Sequence, residues 1–450
     1  MTGRIFYVDP LHGSSANNGL TSAAYAVGNT GPFGSLYDVL WLGDSDPAKF
    51  GGSGDIYYLV ASTADNLQAS YVGGGITGAY NYLFYSNSRW IDTAAYLSDS
   101  PPPMFIGVNT DLEEDGTQYD LQWFCDWTAT QTGAINTFFN NRGIGDIWRN
   151  VKWTARSNSG NPSDSRLGRM RSYSSGGGGG YFVNCTWDWS NPDGMTDIYN
   201  YGLFVTSNPS ASFKNCTFLG PPSRAYTCID AGQQYGQHNF VVGCRFRNWQ
   251  YPVIHNGTDE PVYGNIFEDC QWGVYADTSL AAGSNFPIMN NLFYNIDNDA
   301  IYFGEPAGNA ATPLIMNNLF VDIGGYALNC ASGWTPLEDR KWCFRKNVAQ
   351  NLTSGLISPN IEASNGGIYV GFTGGGVYGN ISDNVIVTGL TLSVDTDFIV
   401  TLSAFPESAL GLGGDHDSGT LSSAGGFFSS GTSGAAGGAV VETEQARVTS

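Results

Sequence analysis

The sequence predicts an all-β fold in which the chain coils into stacked rungs of short strands. Three observations predict it. Residues 287–296 read PIMNNLFYNI, and nearly the same ten residues return as LIMNNLFVDI at 314–323, 27 positions later. Aligning these with their neighbours extends the pattern to nine units about 29 residues apart on average, a solenoid period. The composition is that of strands joined by tight turns: 13% charged, 14% aromatic and 60 Gly in 450 residues, with helix formers scarce. A chain this aromatic and this weakly charged folds rather than staying disordered. Its length exceeds what one compact core usually holds, which suits repeats or several domains.

The elements of a unit follow in order. One column reads Val151, Cys185, Cys216, Cys244, Asn265, Asn291, Asn318, Asn347 and Asn384. Three residues before each stands an apolar residue: Trp148, Phe182, Phe213, Val241, Val262, Ile288, Ile315, Phe344 and Ile381. Two residues after stand Trp153, Trp187, Phe218, Phe246, Phe267, Phe293, Phe320, Ala349 and Ile386. Residues i and i+2 of a strand share a face, so the last column points inward with the Cys/Asn column. The column three earlier has the wrong parity for one straight strand, so a bend must separate it from the Asn. Roughly ten residues later comes a second strand, GVY at 273–275, AIY at 300–302 and ALN at 327–329. Rungs of this kind lie about 4.8 Å apart, with loops of variable length between constant strands.

Five successive Asn in one inward column predict a ladder, each amide satisfying its neighbour and the turn backbone, because buried polar groups persist only when paired. The same column assigns Cys185, Cys216 and Cys244 to the core as small apolar residues. Cys125, Cys228, Cys270, Cys330 and Cys343 have neither CxxC nor Cys/His spacing, so free thiols are expected rather than metal ligands, and disulfides are not required.

Register and composition divide the chain into 1–145, a cap and first irregular rungs; 146–402, the regular coil; and 403–450, a closing turn and a Gly/Ser/Ala-rich arm. A solenoid end exposes strand edges, so a covering segment is expected. Val440 and Val441 are suited to adding a strand to another subunit's edge. The net charge of −21 repels nucleic acid and anionic membranes, since phosphate binding needs Lys and Arg. A local exception is the arginine-bearing run at 156–171, read as a solvated loop. No stretch of 18 apolar residues is present. The start, MTGRIFYVDP, lacks the apolar run of a secretory signal, so export by the usual route is not expected if Met1 is the true start.

The units FVNCTWDW, FKNCTFLG and MNNLFYNI resemble the rungs of right-handed, single-stranded parallel β-helix proteins of the pectate-lyase-like superfamily. The opening YVDPLHGSSANNGL and the segment PESALGLGG at 406–414 are similar to that group's N-terminal segment and closing turn. The resemblance covers about residues 148–390 and implies a fold more than a chemistry, because the group includes lyases, hydrolases, isomerases, adhesins and bacteriophage tailspikes. The function it implies first is a virion surface structural protein: a bacteriophage spike, head fibre or capsid-decorating protein with host polysaccharide as a ligand. Homotrimers are common among such spikes, so a homotrimer contacting other virion proteins is expected. The alternatives are a secreted polysaccharide lyase or glycoside hydrolase and a bacterial surface adhesin.

A lyase of that group would use clustered carboxylates, calcium and a basic residue, and no such constellation stands out around the five lysines. For a hydrolase, carboxylates two rungs apart would be separated by about 9.6 Å, near the upper limit of an inverting pair. Asp269 and Asp322 occupy one place two rungs apart, with Asn295 between them and Asp297 nearby, and are the catalytic candidates. Acidic turn residues are common, and that reading outweighs the catalytic one, so no catalytic residue is assigned. Trp249, Tyr251, Trp272 and Tyr275 are the glycan-binding candidates, although packing explains such aromatics as well. The four histidines lack ligand spacing, and no metal site or cofactor is assigned. DGTQYD and GDHDSG carry oxygen ligands for a structural calcium but lack the full loop pattern. The glycines at 176–180 lack the ending of a phosphate loop.

Overall fold

The computed structural model describes residues 3–14, 16–20, 22, 31–40, 54–69, 82–85, 103–125, 137–141, 147–157, 170–172, 180–190, 204–206, 212–224, 227–231, 240–255, 261–276, 287–304, 314–331, 343–358, 380–382, 384–386, 390–403 and 439–441. These residues form strands and turns, with one short helix, Leu36–Leu40. Among them no helix is long and apolar enough to cross a membrane. The chain packs as two compact units, residues 1–226 and 227–450. Each is a parallel β-helix of three sheets, to which successive rungs contribute one strand apiece.

In the first unit, sheet one runs Ile5–Val8, Ile56–Val60, Met104–Val108, Ile147–Arg149, Tyr181–Val183 and Ser212–Lys214, all parallel. Its inward column is Phe6, Tyr57, Phe105, Trp148, Phe182 and Phe213, all buried. Ring centroids lie 5.0 Å apart for Phe6–Tyr57, 4.7 Å for Tyr57–Phe105 and 4.1 Å for Phe105–Trp148. The apolar column read from Trp148 onward therefore extends back to Phe6. Sheet two stacks Trp153, Trp187 and Phe218 in register, with Leu121 before them and Asp65 before that. Asp65 breaks the apolar pattern for a local reason: its carboxylate accepts from Ser35 Oγ at 2.8 Å, Leu36 N at 2.9 Å and the Tyr119 hydroxyl. It caps the N-terminus of helix Leu36–Leu40. Phe33 precedes that helix, stacks on Phe6 at 6.3 Å and is buried with Leu36 and Val39, closing this end of the aromatic column.

In the second unit, sheet one runs Val241–Val242, Val262–Tyr263, Pro287–Met289, Leu314–Met316, Cys343–Arg345 and Asn380–Ser382. Sheet two stacks Phe246, Phe267, Phe293 and Phe320 at 5.1, 4.8 and 5.1 Å. Ile386, the last member of this column, is 61% exposed, so the inward pattern stops one rung before it. The Asn ladder forms as its spacing predicts. Nδ2 of Asn291 donates to Oδ1 of Asn318 at 3.0 Å, and Nδ2 of Asn318 donates to Oδ1 of Asn347 at 3.1 Å. Each Oδ1 also accepts the backbone N–H of the preceding column member, as from Asn291 N to Asn318 at 3.0 Å. Each Nδ2 also reaches the carbonyl of the apolar column one rung back, as from Asn318 to Ile288 O at 2.9 Å. In the first unit the thiols of Cys185 and Cys216 take that last role, 3.6 Å from Trp148 O and 3.4 Å from Phe182 O.

The bend that parity demands is a single left-handed residue just before the column. Asn150, Asn184, Asn215, Asn290, Asn317 and Lys346 have φ between +51° and +57°, and Gly243 and Gly264 have +64° and +67°. Asn and Gly enter this region most cheaply, which explains the recurrent NC and NN pairs. A second left-handed corner follows five residues later, at Asn248, Asp269, Asn295, Asp322 and Asn351.

Strands Thr391–Val394, Val400–Ser403 and Ala439–Val441 form a separate antiparallel sheet. Val440 and Val441 pair with Thr401 and Val400 of their own chain, where the sequence suggested another subunit's edge. The segments 406–414 and 414–419, most of the arginine run and most of the glycine run lie outside the described residues.

Candidate functional site

Sheet three of the second unit carries the site. Its strands include Tyr251–His255, Val274–Ala276, Ile301–Phe303 and Tyr326–Cys330. Strand alternation buries Val274, Ala276, Ile301, Phe303, Leu328 and Cys330 and turns Tyr275, Tyr302 and Asn329 outward in one register. Gly273 begins its rung because a Cβ there would meet Ala300 O at 2.3 Å and the Phe293 ring at 2.6 Å. Ala300 and Ala327 hold the equivalent places, so small residues let the rungs close up while the next-but-one residue projects.

Four rings gather on this outer face, all half-buried. Tyr275 lies 4.8 Å from Tyr251 and 5.1 Å from Tyr302. Trp272 stands edge-on to Tyr275 at 5.6 Å and to Tyr302 at 5.2 Å, and stacks on Tyr251 at 6.2 Å. Rings that combine an apolar body with a hydroxyl or indole N–H suit a ligand that is itself half apolar and half hydroxylated. The cluster has a polar border: Asp299 accepts from Asn329 Nδ2 at 2.9 Å and from Tyr326 N at 2.7 Å. Burial pushes the Asp299 carboxyl up against the pull of those two hydrogen bonds. Burial, and then the nearby Asp299, push the Tyr302 phenol up, so it remains a neutral hydroxyl at ordinary pH.

Three of the four aromatic residues singled out from sequence, Tyr251, Trp272 and Tyr275, meet here. Trp249 does not. It is 1% exposed and points into the core, because the left-handed Asn248 before it turns its side chain inward. Tyr302 was missed, although its signal was present: AIY at 300–302 repeats GVY at 273–275 in register.

Asp269 and Asp322 do share a column two rungs apart, at the second left-handed corner, with φ of +52° and +58°. Asp269 accepts from Asn295 Nδ2, and Asp322 accepts from Asn351 Nδ2 at 2.8 Å. Corner geometry and these amide bonds account for the residue types without any chemistry. Asp297 stands two positions off that column, its carbonyl so close to Gly324 that a Cβ there would meet it at 2.0 Å. In DGTQYD, Asp115 accepts from Thr117 N at 2.9 Å and Asn109 Nδ2 at 2.9 Å, and Asp120 accepts from Gln122 Nε2 at 2.7 Å. Among the described residues no group of three or more His, Cys, Asp or Glu is placed to hold a metal ion. His12 Nδ1 lies 3.0 Å from Asp9 within the N-terminal turn. Cys185, Cys216, Cys228, Cys244, Cys270, Cys330 and Cys343 are free thiols, all buried but the half-buried Cys343.

Residues 173–337 match the family described as "Right handed beta helix region", in keeping with the parallel coil of three sheets. Two solved structures are similar. One is a rhamnogalacturonan lyase, 13% identical, over 78% of this chain and 74% of that one, with a TM-score of 0.30. The other is the GH136 lacto-N-biosidase from Eubacterium ramulus, 12% identical, over 80% of this chain and 66% of that one, with a TM-score of 0.37. No curated protein sequence matches the chain.

Proposed function

We propose that this β-helix binds an uncharged glycan on the exterior of sheet three, without cleaving it. The observation that carries the reading is the cluster of Tyr251, Trp272, Tyr275 and Tyr302, four aromatic rings on an outward face where strands of a free-standing coil would carry small polar side chains. Half-buried Tyr and Trp supply contact area at low entropic cost and keep polar tips for hydroxyl groups. The net charge of −21 argues against an anionic glycan. Binding without cleavage is preferred because the carboxylates best placed for catalysis, Asp269 and Asp322, are hydrogen-bonded corner residues. A place on a virion surface, as a homotrimer, belongs to the same proposal and rests on the resemblance of the rungs to those of phage spikes.

The test is binding of the full chain to a panel of immobilised neutral and acidic glycans, with Tyr275→Ala and Tyr302→Ala beside the parent. The proposal requires retention of a neutral glycan, a loss of about tenfold or more in each variant, and no reducing ends released. Binding that survives both substitutions would place the ligand elsewhere, and release of sugar would restore the enzyme reading.

A further inference from the structure

The aromatic row on sheet three stops at Tyr302, and its end is built differently from its middle. Tyr275, Tyr302 and Asn329 face outward in one register on three successive rungs. Tyr302 stacks one face on Tyr275, at 5.1 Å with 19° between the planes, and meets Trp272 edge-on at 5.2 Å. Its other face looks toward the rung of Asn329, and among the described residues no ring stacks there. A Tyr side chain reaches farther out than an Asn, so the outer part of that face stands over the Asn329 amide as a wall over a floor. The floor is held at both ends. Asn329 donates from Nδ2 to Asp299 Oδ2 at 2.9 Å, and its Oδ1 accepts the Cys330 N–H at 2.8 Å. Asp299 is only 6% exposed and accepts the Tyr326 N–H at 2.7 Å. Gly325 makes room for this carboxylate, since a Cβ there would meet Asp299 Oδ1 at 2.3 Å.

A side-chain amide offers two N–H donors and two lone pairs on its oxygen. The bonds to Asp299 and Cys330 use one of each, which leaves Asn329 one donor and one acceptor site at the foot of an aromatic face. We propose that Tyr302 and Asn329 form one sugar subsite: a pyranose ring lies on the free face of Tyr302, and Asn329 reads one of its hydroxyls. This deepens the reading of sheet three as a site for an uncharged glycan and rests on it. The subsite selects sugars whose hydroxyl at that point is unsubstituted. A free hydroxyl accepts from the amide N–H and donates to the amide oxygen. An O-acetylated one has no proton to donate, and its acyl group has to fit between the ring and the floor. Asp299 is a positioning residue, because its buried carboxylate fixes which end of the amide presents the donor and which the acceptor.

The test measures affinity of the full chain for glucan, galactan and mannan, each unmodified and O-acetylated, and reads the ratio between the two forms. The parent should prefer one unmodified polysaccharide by on the order of tenfold, the worth of a hydrogen bond or two. Asn329→Leu, close in size but without the amide, should lose most of that preference while still binding through the rings. Tyr302→Ala should weaken both forms. Asp299→Asn keeps an acceptor for the Tyr326 N–H but sets an amide N–H against the Asn329 N–H, so the preference should fall as in Asn329→Leu. Combining Asp299→Asn with Asn329→Leu should cost no further preference, because one residue acts through the other. Losses that add would overturn the positioning role, and a ratio unchanged in Asn329→Leu would overturn the subsite. If Tyr275→Ala still weakened retention in that case, the glycan reading would stand without it. Retention of none of the three polysaccharides would sink both. Equal retention of the two forms by the parent overturns the subsite even if no variant folds.

Discussion

Replacing Asn318 by Ala cuts the ladder at its middle. The substitution removes the acceptor of Asn291 N and one donor to Ile288 O, and it breaks two amide–amide bonds, at 3.0 and 3.1 Å. Asn291 keeps one hydrogen bond through Nδ2 to Val262 O, and Asn347 Oδ1 keeps the backbone N–H of residue 318, so their side chains stay partly satisfied. Two buried backbone groups are left without these partners. At about 1–3 kcal/mol for each orphaned group, the expected loss is about 4 kcal/mol, a large share of an ordinary unfolding free energy. By the usual scaling for a unit of this size, the melting temperature should fall by about 10 °C. Asn318→Cys should lose less, because a thiol at this place still reaches the carbonyl, as Cys216 does to Phe182 O. The assay is thermal and urea unfolding followed by tryptophan fluorescence, with Asn295→Gly at the exposed corner, which keeps the left-handed backbone, as the control. If Asn318→Ala matched the parent within about 0.5 kcal/mol, an amount typical of surface substitutions, the ladder would be ornament and the reasoning wrong.

Trp249→Ala should destabilise by about 3–5 kcal/mol as a core cavity, with glycan affinity unchanged in whatever protein remains folded. Melting and binding measured on the same sample separate the two effects. Asp269→Asn should leave both the melting temperature and glycan retention unaltered, since Asn295 already occupies the same corner one rung on; a loss of a sugar-releasing activity would contradict this. The Cys330 thiol, pushed by burial up to about 12, should not react with a thiol reagent at pH 8 until the coil unfolds. Rapid labelling of Cys330 in the native protein, read by peptide mass, would refute its placement. Gly273→Val should prevent close approach of neighbouring rungs, because its Cβ would meet the Ala300 carbonyl; circular dichroism and the melting curve would report the loss.

How much of this was legible depended on spacing. The Cys/Asn column and its two apolar companions could be read because regular units keep them in phase. Phe6, Tyr57, Phe105 and Trp148 stand 51, 48 and 43 residues apart, so long insertions hid a column that stacks as closely as the rest. Parity demanded a bend before each Asn, and its carrier was in view as the first Asn of each NN pair. What was not visible was that one left-handed residue suffices. Tyr251, Trp272 and Tyr275 were found as aromatics and Trp249 was misassigned for the same reason, since residue type does not say which side of a corner a ring leaves. The outward positions Ile266, Leu292, Leu319 and Val348 break the alternation of a one-sided strand, a sign that this face of sheet two is not simply solvated. Partners distant in sequence, such as Arg247 and Thr396, whose carbonyl accepts from Arg247 Nη1 at 3.2 Å, leave no local signature.

Because each rung returns to the same carbonyls and the same left-handed corner, the path between rungs is free to vary. Twenty-one residues separate Cys244 from Asn265 and 51 separate Phe6 from Tyr57, yet both excursions end in register. Length added at these exits is thus decoupled from folding: a graft between two strands would alter what the surface displays and leave the spine unaware of it.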